Sequence, residues 1–150
     1  MKITKKGEYA IMALIDLALN YNKGLRQIKD IVKKEEIPEK FLEQILVILK
    51  NAGLVQSKRG IGGGYYLNKP PEKISLSEVI RVIDGPLSPL ECVNSQNKNC
   101  PKQITCGIRS VMIDVENATS EILDRITLAE VCNRINLLNK KKEEILMYYI

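Results

Sequence analysis

From Pro38 to Asn68 the order of residues leaves few folds open. The run PEKFLEQILVILKNAG places Phe41, Leu42, Ile45, Ile48, Leu49 and Ala52 at helical spacing, so a helix over 38–52 has one apolar face. Pro38 suits its first turn, where the missing N–H leaves no bond unmade. Glu39 favours the same end through the helix dipole, and Gly53 is a natural stop. Directly after it, LVQSKRGIGGGYYLN sets two β-prone runs, Leu54–Lys58 and Tyr65–Asn68, around a glycine-rich loop. That is the pattern of a hairpin with a flexible tip, and Lys58 and Arg59 stand at its entry.

Upstream, residues 6–22 put Ala10, Leu14, Leu17 and Ala18 on one helical stripe, widened by Ile11 and Ile15. Asn22-Lys23-Gly24 ends that helix. A shorter one follows near Gln27–Lys34, carrying Ile28, Ile31 and Val32, and breaks at Glu35-Glu36-Ile37. Helix, short helix, turn, helix, hairpin is the order of a winged helix-turn-helix; a generic α+β domain is the alternative.

Downstream, residues 68–71 read as a linker. Leu76–Asp84 is a short helix, with Ser75 as cap and Glu78 completing a capping box. Gly85-Pro86 stops it. Residues 107–124 are helical again, with Ile108, Val111, Met112, Val115, Ala118 or Thr119, and Ile122 recurring every three to four residues. Thr127–Cys132 reads as a short turn or helix, and Lys140–Ile150 as a tail with a charged start and an apolar end. The long stripe over 107–124 needs a partner surface. Packing against residues 1–22 would cover part of it; a two-fold dimer is the favoured solution, because paired reading heads match a two-fold DNA site. The expected fold is mainly α with a small β-hairpin wing. It divides into a DNA-binding domain over 1–70, a linker helix and cysteine loop over 71–106, and a dimerisation helix with C-terminal tail over 107–150.

Charge follows the same division. Residues 1–70 carry 13 Lys and Arg against 7 Asp and Glu, a net +6; residues 71–150 carry 10 against 11, a net −1. A basic half joined to a near-neutral one fits a polyanion-binding module, and also a lysine-rich soluble surface. The 150 residues suffice for one domain with a real core. No apolar run approaches the 18 or so residues that mark a membrane span, and the N-terminus lacks a signal-peptide pattern. A cytoplasmic protein with reduced thiols is expected. The chain has no histidine, which removes Ser-His and Cys-His pairs and histidine-bound zinc. Gly62–Gly64 lie between two strands, not between a strand and a helix, so they are no nucleotide cradle. An enzyme is not expected.

Soft ligands concentrate in one place. ECVNSQNKNCPKQITCGIRS holds Cys92, Cys100 and Cys106 at C-x7-C-x5-C spacing in a polar loop. Three clustered thiols in a reducing compartment favour metal or redox chemistry over a disulfide framework. Zinc sites prefer tight Cys pairs, which are absent here, and a thiol switch needs accessible, easily ionised thiols. Cys132 stands apart in an apolar context and reads as a buried free cysteine.

MKITKKGEYAIMALIDLAL, IPEKFLEQIL and NAGLVQSKRGIGGGYYL closely resemble the Rrf family of winged-helix transcriptional regulators. The likeness continues through EVIRVIDGPLSPLEC and ITLAEV, over roughly residues 1–135, and the LVxSxRGxGGGYxL block is highly specific. The resemblance implies that residues 38–52 are the recognition helix, with Pro38, Glu39, Lys40, Phe41, Glu43 and Gln44 at the major groove of double-stranded DNA. It implies that Arg59, with Lys58 and Gly60, enters the minor groove, and Lys5, Lys6 and Gln27 are candidate phosphate contacts. It further implies a homodimer and an iron–sulfur cluster, 2Fe–2S or 4Fe–4S, on Cys92, Cys100 and Cys106. One branch of the family completes its cluster with a histidine three residues after the third cysteine; here that residue is Arg109. Another uses a carboxylate near the N-terminus of the dimer partner; here that residue is Glu8, whose other reading is a first-turn glutamate paired with Lys5 or Lys6. Asp84-Gly85-Pro86 and the terminal residues also resemble a branch that lacks the cysteine loop and acts with an enzyme partner of cysteine synthesis.

Overall fold

The computed structural model describes residues 1–94 and 100–149. Its elements run α1 (Lys5–Leu19), α2 (Ile28–Glu35), α3 (Glu39–Asn51), β1 (Val55–Lys58), β2 (Gly64–Leu67), a 3-10 turn (Pro71–Lys73), α4 (Leu76–Asp84), α5 (Gly107–Arg125) and α6 (Leu128–Tyr148). The winged-helix order read from the sequence is the order observed. β1 and β2 pair antiparallel, with Val55 opposite Leu67 and Lys58 opposite Gly64.

Local chemistry explains most boundaries. α1 starts where Thr4 Oγ1 accepts from Gly7 N at 3.0 Å, and α4 starts where Ser75 Oγ accepts from Glu78 N at 3.2 Å. Only half of the expected capping box forms, because the Glu78 carboxylate bonds to Lys69 Nζ at 2.8 Å. Pro38 falls one residue earlier than expected. Its extended ψ of 129° makes it the cap of α3, and its carbonyl accepts from Phe41 N and Leu42 N. α2 ends on Glu36 in the left-handed region, at φ 54°.

Periodicity becomes a core. Leu14 and Leu17 of α1, Ile31 of α2, Leu42, Ile45, Leu46 and Leu49 of α3, and Leu54, Val55 and Leu67 of the hairpin form one buried cluster. Each fully buried aliphatic side chain contributes about 1.5–3 kcal/mol, an upper figure given a partly collapsed unfolded chain. The same cluster includes Ile74, Val79, Leu128 and Cys132 from the second half of the chain. Residues beyond the hairpin therefore share the core of the N-terminal elements.

The C-terminal region departs from expectation. Thr127–Cys132 does not end as a short turn; it is the first part of a 21-residue helix that absorbs the supposed tail. Thr127 Oγ1 caps it by accepting from Glu130 N at 3.3 Å, and Glu130 pairs with Arg134 one turn on. Leu128 and Cys132 are its buried residues. Val131, Ile135 and Leu138 continue their helical spacing, and the charged run Lys140–Glu144 then interrupts the stripe, which hides how far the helix extends. The backbone of Ile74–Leu76 pairs with Ile126–Leu128 through Leu76 N to Ile126 O and Leu128 N to Ile74 O, both 2.9 Å. This pairing turns the chain back so that α6 packs on α1.

Candidate nucleic-acid interface and cysteine loop

α3 buries Leu42, Ile45, Leu46 and Leu49, which leaves Glu39, Lys40, Glu43, Gln44, Val47 and Lys50 exposed. Three- and four-residue steps put Lys40, Glu43, Gln44 and Val47 on one side of the helix. β1 packs beside α3, and Lys50 Nζ donates to Ser57 Oγ at 2.7 Å. Val47, Lys50, Ser57, Lys58 and Arg59 line one cleft between helix and hairpin. The candidate reading residues of α3 and the hairpin thus share a surface. Phe41 does not join them freely: its ring meets Tyr9 edge-on, with centroids 5.7 Å apart.

The hairpin's glycines divide by role. Gly60 and Gly62 take positive φ at the tip, 100° and 76°. Gly64 has a different task. Arg26 pairs with Tyr65 through two backbone bonds of 3.0 and 2.8 Å, and a Cβ on Gly64 would strike the Arg26 carbonyl. An isolated bridge from Arg26 thus joins β2 near the loop end of the hairpin, a close approach that β-propensity alone does not signal.

Arg26 also enters the least expected feature of this half. Asp16 is fully buried. Its carboxylate accepts from Arg26 Nε at 2.8 Å, Arg26 Nη2 at 3.2 Å and Lys34 Nζ at 2.9 Å. Burial pushes this carboxyl up, but the hydrogen bonds and charge of Arg26 and Lys34 outweigh that push and hold it below the ordinary carboxylate value. One side chain of α1 thereby ties down α2 and, through Arg26, strand β2 near the hairpin loop. A charge inside the apolar pattern of α1 was the available signal, and the stripe of Ala10, Leu14 and Leu17 hid it.

At the N-terminus, Lys5 Nζ bonds to Glu8 Oε2 at 2.9 Å and lies 5.0 Å from the Tyr9 ring centroid. The hydrogen bond to Glu8 raises the Lys5 ammonium above its ordinary value, against a small desolvation. Lys6 is half-exposed and Gln27 exposed at the cap position of α2, where its side chain makes no capping bond.

Asp84, the last residue of α4, reaches back to the same end of α1. Its carboxylate accepts from Thr4 N at 2.9 Å and from Thr4 Oγ1 at 2.5 Å. Gly7 makes room, since a Cβ there would collide with that carboxylate. The cysteine loop thus departs from a point bonded to the start of the reading head.

The loop's own anchors are Leu87 and Val93, both buried. Cys92 is half-buried, Cys100 exposed and Cys106 half-buried, and all three are free thiols. Cys106 caps α5: its Sγ accepts from Arg109 N at 3.4 Å. Arg109 Nε donates to the Cys92 carbonyl at 3.0 Å. The residue standing where a histidine ligand would be expected therefore ties the first cysteine's backbone to the start of α5. Among the described residues, no three Cys, Asp or Glu side chains are grouped closely enough to hold a metal ion. Cys132 sits in the core, and burial pushes its thiol up, away from the reactive thiolate.

α5 presents Ile108, Val111, Val115 and Ile122 to solvent and has no buried residue. No helix among the described residues is long and apolar enough to cross a membrane.

Comparison with known proteins agrees with this arrangement. The chain is 35% identical over 150 residues to the HTH-type transcriptional regulator CymR of Bacillus subtilis, covering 100% of both chains. It is 34% identical over 138 residues to the HTH-type transcriptional regulator IscR of Erwinia tasmaniensis, covering 92% of this chain and 82% of the relative. The solved structure of CymR, the global cysteine regulator of B. subtilis, superposes with a TM-score of 0.76 at 34% identity, over 89% of this chain and 98% of that one. The sequence profile of the Rrf2 family, described as iron-dependent transcriptional regulators, matches residues 3–134. The chain therefore belongs to the Rrf2 family of transcriptional regulators.

Proposed function

We propose that this protein is a dimeric DNA-binding repressor whose hold on its operator is set by an iron–sulfur cluster at Cys92, Cys100 and Cys106. The observation that carries the DNA reading is the shared surface of α3 and the hairpin, where Lys40, Glu43 and Gln44 stand beside the cleft lined by Lys58 and Arg59. On this reading residues 1–70 are the reading head, residues 71–106 the sensing segment and residues 107–150 the dimer-forming part. Glu39, Lys40, Glu43 and Gln44 face the major groove, where Glu43 accepts from cytosine N4. Arg59, with Lys58 and Gly60, enters the minor groove, and Lys5, Lys6 and Gln27 meet phosphates. Its work is that of a regulator rather than an enzyme, in the cytoplasm beside the DNA. Replacing Arg59 with Ala is expected to weaken operator binding by roughly 1–3 kcal/mol; unchanged affinity in a titration at fixed salt would remove the hairpin from the interface.

The donor set suits a cluster in its chemistry. Three soft thiols share one loop, none is spent in a disulfide, and Cys106 sits at the N-terminus of α5, where a helix dipole favours an anionic ligand. Cys92, Cys100 and Cys106 would hold the cluster, which would supply a centre sensitive to iron supply and oxidation. Glu8 of the dimer partner is the proposed fourth ligand; in a single chain its carboxylate is occupied by Lys5.

A second reading has its own support: CymR matches over the full length of both chains. On that reading a protein partner of cysteine or cluster biosynthesis, or oxidation of the exposed Cys100, replaces the cluster as effector. Anaerobic reconstitution with iron and sulfide separates the two. The cluster reading expects a brown protein whose visible absorption is lost in Cys92→Ala, Cys100→Ala and Cys106→Ala. A colourless, iron-free product would falsify it and favour the second. Glu8→Ala should then alter the spectrum or shorten the cluster's lifetime; no change removes Glu8 from the ligand set.

A further inference from the structure

Two apolar residues of α3 are exposed among its charged and amide ones: Phe41, whose ring meets Tyr9, and Val47, which has no ring partner of this kind. Val47 is 56% exposed, four residues after Glu43 and three after Gln44, and it lines the cleft shared with Lys58 and Arg59. Its neighbours Ile45, Leu46 and Leu49 are all in the core, so Val47 adds nothing to the packing that holds α3. A β-branched residue in a helix interior also costs helix propensity relative to alanine or a long polar side chain. Val47 thus gives up both local propensity and burial, on the face that the DNA reading directs into the major groove.

In that groove, thymine alone presents a methyl group among the edges of the four bases, and small apolar side chains are its natural contact. Resting on the DNA reading above, we infer that Val47 is a specificity-determining residue that packs against a thymine C5 methyl in each half-site. Glu43 and Gln44 then supply polar contacts one turn nearer the N-terminus of α3, while Val47 selects T at a base pair they leave undetermined. Lys50, one turn further along and bonded to Ser57, sets how closely helix and hairpin flank that base pair.

The test uses the duplex that the wild-type chain itself enriches from a random-sequence pool. Each thymine is replaced in turn by uracil, which removes only the methyl, and binding is measured for wild type and Val47→Ala. The expected result is one thymine per half-site whose replacement weakens wild-type binding about fourfold, the worth of a buried methyl. For Val47→Ala the same replacement should have no effect, and the variant dimer on the thymine duplex, having lost the contact in both half-sites, should be weakened about sixteenfold. Circular dichroism checks that the variant keeps its helix content, which alanine should if anything raise. A uracil scan that is flat in the wild type, or that affects wild type and variant equally at every position, overturns the assignment of Val47 and leaves the DNA reading standing. Failure of the wild type to enrich any duplex overturns the DNA reading, and this assignment with it.

Discussion

Asp16 shows what one residue decides here. A buried carboxylate is costly unless charge and hydrogen bonds compensate it. Arg26 and Lys34 do so with three bonds, and both partners still reach solvent, at 23% and 47% exposure. Losing the carboxylate should therefore cost about 2 kcal/mol, less than the roughly 3–5 seen when a fully buried pair is broken. Because the folded value of Asp16 lies below its unfolded one, its contribution is full above the ordinary carboxylate range, near pH ~4. It is lost as pH falls through the lower folded value. Urea midpoints from pH 7 to pH 3 should show wild type losing stability on the acid side, with a flatter acid limb for Asp16→Asn. Glu35 acts with the opposite sign: burial first, then the Asp16 charge, raises its carboxyl, so its share is lost as pH rises through that raised value. A variant with the same acid limb as wild type would show that Asp16 does not hold α1 to α2 through charge.

The brace at the start of α1 belongs to the scale of elements. Thr4 caps the helix, and Asp84 holds Thr4 by its amide and its hydroxyl. Intrinsic propensity says that alanine in place of Gly7 should stabilise an exposed helix by up to about 1 kcal/mol. Gly7 is buried, and the added Cβ would displace the Asp84 carboxylate and press on Ile3. Gly7→Ala should accordingly lower the melting temperature rather than raise it; a rise would mean that the brace contributes nothing. The cap at Ser75 was visible in the sequence because its partner, Glu78, is three residues away. The brace was not, because Asp84 and Thr4 are 80 residues apart.

For the whole molecule the decisive fact is α5. Nineteen residues with four exposed aliphatics and none buried make an incomplete surface for an isolated chain. α4 and the segment after it hold the polar side of α5: Arg81 Nη1 donates to Asp124 at 3.2 Å, Ser77 donates to the same carboxylate, and beyond α4 Ser88 Oγ donates to Glu116 at 3.1 Å. On the proposed reading the apolar side is left for a second copy. Ile122→Arg should give a monomer in sedimentation and weaken operator binding about a hundredfold, the penalty for losing the second linked contact. Its helix content should stay unchanged, because Ile122 is exposed in the single chain. A dimer that survives this change, or a monomer that binds as tightly as wild type, would move the interface elsewhere.

What the sequence alone determined was local and periodic. The stripes of α1 and α3, the stop at Gly53, the hairpin of β1 and β2 and the cap at Ser75 all arise within a few residues of one another, where spacing encodes which face is buried. The clustering of three thiols in one loop was legible in the same way. Tertiary structure decided the rest. It chose Asp16 as the lock, Asp84 as the brace, Arg26 as a bridge onto β2 and Arg109 as the tie on Cys92. It also made one helix of the C-terminal region, with Leu128 and Cys132 buried. Each of the contacts joins groups ten or more residues apart, and the helix runs on through a charged segment that interrupts its stripe. Their partners are set by how the helices pack, and residue spacing carries no record of that.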